Sequence, residues 1–267
     1  MKKRIFALFL SVLLLATVLC ACGDTKQEEA GGVGSDGTSS SGAVVDGGEM
    51  VVGIAQDLGD SLDPYQMTAA GTREVLFNIY EGLVKPNASG EYVPAVASDS
   101  TVSEDGLTYT FPLREGVLFH NGAAVTTDDV IYSFKTCAET TVDTALAEAL
   151  SSVKDITADG NTVTVTLKEA NPDFLSYVGM VYIVPADYTD EATSPVGTGP
   201  FKFVSRSVQE NLIVEKFADY WGEKAHLDKV TFKIYEDANA LMSALSAGSV
   251  DMAGHLTIDQ VDTIGTG

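Results

Sequence analysis

Three histidines, three cysteines and one tryptophan are the side chains in this 267-residue chain best suited to metal, thiol or stacking chemistry. His120, His226 and His255 lie far apart and lack the close spacing that lets imidazoles share a metal ion. Cys20 and Cys22 sit near the N-terminus, which leaves Cys137 alone in the body of the chain and unable to form an intrachain disulfide. Cys137 follows Phe134 by three residues in a helical pattern, the place of a small buried hydrophobe and not of a nucleophile. The sequence has no Gly-x-Ser-x-Gly, no phosphate-cradling glycine loop and no His-Glu-x-x-His. His120 interrupts an apolar run at a turn, which favours a structural role. Tyr220-Trp221 could stack on a ligand, yet they follow a strand pattern and precede Gly222, so packing is expected. These residues predict no enzyme, no metal site and no cofactor. Two kinds of chemistry remain: covalent modification at the N-terminus, and binding.

Lys2, Lys3 and Arg4 precede Ile5 to Leu19, which is apolar apart from Ser11 and Thr17 and short for a bilayer span. Leu19-Cys20-Ala21-Cys22 then resembles a bacterial lipobox, with Cys22 as the lipidated residue. Residues 1–21 are therefore expected to be a lipoprotein signal peptide. Residues 22–48 are rich in Gly and Ser and poor in bulky apolar side chains, the composition of a flexible linker. The whole chain carries 16 basic and 38 acidic residues. Three of the bases lie before Cys22 and no acid does, so the mature chain has a net charge of −25. Such a surface repels nucleic acid and anionic lipid heads, which excludes a nucleic-acid partner and leaves the lipid as the membrane contact.

The elements follow from periodicity. Met50 to Ala55 reads as a buried strand, Leu62-Asp63-Pro64-Tyr65 as a turn, and Thr72 to Val84 as a helix with Val75, Leu76, Ile79 and Leu83 on one face. Asp105-Gly106 and Asp159-Gly160 predict two tight hairpin turns with φ > 0 at both residues of each pair. Leu107, Tyr109 and Phe111 alternate with threonines after the first, and Val163, Val165 and Leu167 after the second. Thr126 and Asp129 stand three apart before Val130, Ile131 and Phe134, which predicts a capped helix. Further helices are expected over Val142 to Leu150, after Asn171-Pro172, along Ala238 to Leu245 with Gly248 as the stop, and over Thr257 to Ile264. Tyr182 to Pro185, Phe201 to Val204, Leu212 to Glu215 and Thr231 to Tyr235 read as strands.

As literal residues the chain says more. DGLTYTFPLREGVLFHNG at 105–122 followed by TTDDVIYSF at 126–134 resembles the signature region of family 5 of the extracellular solute-binding proteins, which serve peptide and nickel ABC importers. NIYEGLV at 78–84, GTGPF at 197–201, FADYWG at 217–222 and ALSAGSVD at 244–251 match the same family in the same order.

The resemblance implies an α/β chain with a periplasmic-binding-protein-like class II fold. It would hold the first lobe with an inserted β-rich subdomain, and the second lobe would be absent. Carried onto this sequence, 49–80 and 196–267 form the main lobe, incomplete, and 81–195 the insertion. The family's ligand lies between lobes, and the first lobe contributes the loop after the Leu-Asp-Pro turn, here Tyr65, Gln66, Met67, Thr68, Ala69 and Ala70. A short loop of small and polar residues suits strand addition by an extended peptide. Gly197 to Phe201 could line the hinge side, although its glycines are expected to serve the turn. The implied function is a lipid-anchored receptor at the cell membrane, facing outward or into a periplasm. It would take a short peptide and meet ABC permease and ATPase subunits. A receptor for nickel, a nickel complex or a saccharide, and a sensor of peptide signals, are the alternatives.

Overall fold

The computed structural model describes residues 45–254 and residue 256. The signal peptide, Cys22, most of the linker, His255 and the expected helix at 257–264 lie outside the described residues. In order, the elements are β1 (Glu49–Ile54), α1 (Ala70–Leu76), β2 (Val84–Pro86), β3 (Tyr92–Pro94), β4 (Thr101–Val102), β5 (Thr108–Pro112), α2 (Thr127–Thr140) and α3 (Thr144–Ser151). They continue with β6 (Val153–Asp159), β7 (Thr162–Leu167), α4 (Phe174–Val178), β8 (Phe201–Ser207), β9 (Asn211–Lys216), β10 (Lys229–Ile234), α5 (Ala238–Ser246) and β11 (Met252–Ala253).

Threonine alternation builds one sheet. Strands run in the order β4-β5-β7-β6, all antiparallel, with Tyr109 opposite Val165 and Phe111 opposite Val163. Those four side chains and Leu167 are buried on one face while the threonines between them are partly exposed. Against β6 and β7 packs α2, through a stripe that includes Val130, Phe134 and Cys137. Its start is the expected capping box: Asp129 N–H donates to the Thr126 hydroxyl at 3.3 Å, and Thr126 N–H donates to Asp129 Oδ2 at 2.8 Å.

The two Asp-Gly turns differ from expectation and from each other. Only the glycines have positive φ, +70° at Gly106 and +56° at Gly160. Asp105-Gly106 lies inside a four-residue loop closed by Ser103 N–H donating to Thr108 O at 2.9 Å. In the second hairpin Asp159 pairs with Thr162, so Gly160-Asn161 is the loop, with glycine first as in a type II′ turn. Asp105 instead folds its carboxylate back onto Ser103 Oγ and Leu107 N–H, which a left-handed backbone does not require.

A second sheet runs β11-β1-β10-β9-β8, with β1 parallel to both neighbours and the rest antiparallel. Beside it α5 packs through buried Leu241 and ends at Ala247, with Gly248 at φ +67°. A two-stranded ribbon, β2 with β3, completes the sheets.

The helix expected over Thr72 to Val84 is shorter and earlier than its periodicity suggests. Leu76 O is the last carbonyl to accept within the turn of the helix, from Tyr80 N–H at 2.9 Å, and carbonyls from Asn78 on are claimed by other segments. Phe201 N–H donates to Asn78 O at 3.1 Å, Gly199 N–H to Ile79 O at 2.9 Å, Ile183 N–H to Glu81 O at 2.9 Å and Ala95 N–H to Leu83 O at 2.9 Å. Tyr182 to Pro185, expected as a strand, is irregular for the same reason. Its Ile183 bonds Glu81, and its Val184 N–H donates to Ser133 Oγ at 3.0 Å.

Candidate functional site

The turn at 62–65 is fixed by its own aspartate. Asp63 Oδ1 accepts from Tyr65 N–H at 2.8 Å, and Asp63 O accepts from Gln66 N–H at 3.1 Å. The loop that follows is anchored on one side. Tyr65 is buried, donates from its hydroxyl to Tyr182 O at 2.6 Å and accepts from Val142 N–H at 3.0 Å. Gln66 Nε2 donates to Thr140 O, and Met67 is buried. Thr68 and Ala70 are exposed and Ala69 is half-buried. The N–H groups of Thr68 and Ala69 make no hydrogen bond among the described residues. Of the six expected loop residues, then, Tyr65, Gln66 and Met67 hold the loop down, Thr68 and Ala70 are exposed and Ala69 is half-buried, Ala70 already being the first residue of α1.

A small hollow adjoins this loop, and a larger one lies beyond it along α1. Tyr65 and Met67 help line the small one, and Arg73 and Tyr182 line both it and the larger one of about 380 Å³. The larger hollow has Phe77, Tyr80, Pro86, Pro200 and Tyr220 on its walls. One side is built on a buried acid. Glu81, 6% exposed, accepts from Tyr220 OH at 2.7 Å, Trp221 Nε1–H at 2.8 Å and Lys85 Nζ at 2.7 Å. The Lys85 ammonium lies 5.1 Å from the Trp221 ring centre and the Arg114 guanidinium 4.3 Å from it. Tyr220-Trp221 therefore do structural work, as expected from sequence, but as hydrogen-bond donors to Glu81 as well as by packing. Burial, and the Glu81 charge next, push the Tyr220 hydroxyl far above its ordinary value, so it stays a donor.

Gly197 to Phe201 closes the structure behind α1. His120 threads it: Gly197 N–H donates to His120 Nδ1 at 3.3 Å, and His120 Nε2–H donates to Gly199 O at 3.0 Å. This arrangement uses neutral imidazole, and burial holds its pKa down at about 4. The glycines do not serve a positive-φ turn. They allow close approach, since a Cβ at Gly197 would lie 2.1 Å from Ile79 O and one at Gly199 2.5 Å from Asn78 O.

Behind the 62–65 turn lies a second buried acid. Glu191, 8% exposed, accepts at Oε2 from the Tyr80 hydroxyl and, at 3.0 Å, from Val196 N–H, while its Oε1 has no partner among the described residues. Burial lifts its pKa to about 7, the two hydrogen bonds oppose that rise and the Asp63 charge adds to it.

The remaining candidates are not assembled into a centre. Cys137 is buried, and burial pushes its thiol up to about 12. His226 bonds Asp46 on the surface. Among the described residues no group of three or more His, Cys, Asp or Glu could hold a metal ion. Sequence reasoning missed Arg73, Phe77, Glu81, Lys85 and Tyr182. The one local sign was Glu81, an acid inside the apolar run from Ile79 to Val84.

A family model described as "Bacterial extracellular solute-binding proteins, family 5 Middle" matches residues 91–266. The chain is 30% identical over 184 residues to the nickel-binding periplasmic protein of Escherichia coli K12, covering 65% of this chain and 35% of that protein. It is 28% identical over 269 residues to the oligopeptide-binding protein AppA of Bacillus subtilis, covering 94% and 48%. Among solved structures, the periplasmic binding protein DppA of Helicobacter pylori, in complex with the peptide STSA, superposes with a TM-score of 0.76 at 31% identity, covering 83% of this chain and 49% of that one. The chain spans about a third to a half of the length of these curated relatives.

Proposed function

The chain belongs to family 5 of the bacterial extracellular solute-binding proteins, and from that premise we propose that it acts as the lipid-anchored receptor of an ABC importer for short peptides, dipeptides or oligopeptides. Members of this family bind solutes and are not enzymes. The fold is mixed α/β and covers part of a class II periplasmic binding protein. The observation that carries the peptide reading is the likeness to a peptide-bound structure, joined to the N–H groups of Thr68 and Ala69, which have no partner among the described residues. Such groups pair with an extended backbone whatever its side chains.

In this reading 49–80 and 196–267 belong to the main lobe, 81–195 is its insertion, and the loop Tyr65 to Ala70 meets the ligand. The captured peptide passes to permease subunits, and ATPase subunits on other chains supply the energy. Cys22 carries the lipid that holds the domain to the outer face of the cell membrane, or within a periplasm. Among the described residues no helix is long and apolar enough to cross a membrane.

A second reading, nickel or a nickel complex, is favoured by the names of one relative and one solved neighbour. Titration of the full chain with a pool of short peptides, and separately with nickel–histidine, separates the two. Saturable peptide binding is expected. Saturation by the nickel complex, with none by peptides, would replace the first reading with the second.

A further inference from the structure

We propose that the large hollow beside α1 selects ligands carrying one carboxylate next to a bulky apolar side chain, with Arg73 receiving the carboxylate and Phe77 and Tyr182 flanking the side chain. The inference rests on the peptide-receptor reading and narrows it. Phe77 is 60% exposed although it is among the largest apolar side chains in the chain. It caps α1 four residues after Arg73, so the two side chains stand on one face of the helix. That face lines a hollow of about 380 Å³, the size of a bulky residue with part of its backbone, and the walls beyond it are rings: Tyr182, Pro86, Pro200 and Tyr220.

The polar groups of the hollow differ in what they have left to give. Both oxygens of Glu81 are taken by Lys85, Tyr220 and Trp221, and Lys85 in turn is held by Glu81 and by Tyr220 Oη at 3.1 Å. Arg73 is less engaged. Among the described residues its side chain makes one hydrogen bond, Nη2 to Asp143 Oδ2, at a long 3.4 Å. Asp143 is committed to α3, whose Ala145 and Leu146 N–H groups donate to Oδ1 at 3.1 Å each. A guanidinium offers five N–H donors in a planar fork that matches a carboxylate two bonds at a time. With Glu74 and Glu81 also on the lining, a single carboxylate fits and a polyanion does not. Arg73 also lies three residues from Ala70, so a peptide that pairs with the Thr68–Ala69 backbone reaches it without a second site.

The test is a titration of the full chain followed by fluorescence of Trp221, its one tryptophan, which bonds Glu81 at the wall of the hollow. The probes are Ala-Phe, Ala-Phe-amide and Ala-Gly. Ala-Phe should bind about tenfold more tightly than its amide. Arg73→Gln should bring the two within about twofold, and Phe77→Ala should weaken Ala-Phe toward Ala-Gly while leaving the acid–amide ratio in place. Both side chains are exposed enough to be replaced without unfolding, which a melt of each variant checks. Saturable dipeptide binding with no acid–amide difference, or a difference that survives Arg73→Gln, overturns the inference and leaves the receptor reading standing. No saturable binding of any dipeptide up to about 20 mM overturns both.

Discussion

Glu81 and Glu191 are both buried carboxyl groups, and their surroundings treat them in opposite ways. Glu81, at the rim of the large hollow, has three donors and one of them is a cation. Glu191, behind the 62–65 turn, has two donors on one oxygen, none on the other, and Asp63 as its charged neighbour. A buried charge needs a partner of opposite sign and a full set of hydrogen bonds, and without them it keeps its proton instead. The wall that would face a ligand is thus fixed by a paired charge. The core behind the loop is fixed by a group that is half protonated near neutral pH and largely neutral below it.

The largest effect is expected at the paired site. Glu81→Ala strands the Lys85 ammonium, the Tyr220 hydroxyl and the Trp221 indole at once, and should cost about 3–5 kcal/mol, nearer the lower figure because Lys85 is partly exposed. Denaturant unfolding measures it. A loss under about 1 kcal/mol would erase the contrast between the two acids.

Glu191 should behave as its pKa dictates. The folded value, about 7, lies above the ordinary 4.5, so the folded chain holds the proton more tightly than the unfolded chain does. Stability from this group is complete below pH 4.5 and falls as pH rises to about 7, by roughly 3–4 kcal/mol. Glu191→Gln keeps an acceptor for Tyr80 and Val196 and removes the charge. It should raise stability by that amount at pH 8 and leave it equal or slightly lower at pH 5. His120 has the opposite sign: its folded pKa of about 4 lies below 6.5, so its contribution is lost as pH falls from 6.5 toward 4. The Glu191→Gln chain should therefore keep the acid-side decline and lose the decline toward neutral pH. Identical pH profiles for the two chains would show that Glu191 is already ionised in the fold.

What the sequence made legible is local. The threonine alternation of β5 and β7, the Thr126–Asp129 box and the Gly248 stop depend on residues two to four apart, and each was readable without a partner. The run from Asn78 to Leu83 was not, because the carbonyls of Asn78, Ile79 and Glu81 are taken by Phe201, Gly199 and Ile183, more than a hundred residues on, and those of Gly82 and Leu83 by the 95–97 segment. An apolar periodicity of helical spacing marks burial, and here it marked burial without a helix. The hollow was illegible for the same reason, being assembled from α1, the Glu81 segment, Gly179, Tyr182, Pro200 and Tyr220. Family resemblance supplied the loop at 65–70. It did not supply Arg73 or Phe77, which follow the loop closely in sequence but share a lining with Tyr182, Pro200 and Tyr220 only in the fold.

The smallest effects belong to the hairpins, where the contrast is one of geometry alone. Gly160→Val puts a β-branched residue at φ +56° in a two-residue loop with open space around it, so only backbone strain counts, about 1–2 kcal/mol. Gly106→Val meets the same strain and also Ala170 Cβ at 3.2 Å, and should cost slightly more. Melts of the two variants rank them. A melt unchanged by either would mean that neither turn needs its glycine.

Everything proposed for the hollow depends on where the ligand sits. Photo-cross-linking of a dipeptide bearing a diazirine-modified phenylalanine to the full chain, followed by peptide mapping, tests that directly. Adducts are predicted on residues 65–86 and on the Gly179–Tyr182 segment, and unlabelled Ala-Phe should compete them away. Competed adducts confined to the β4–β7 sheet, with none between Tyr65 and Pro86, would contradict it.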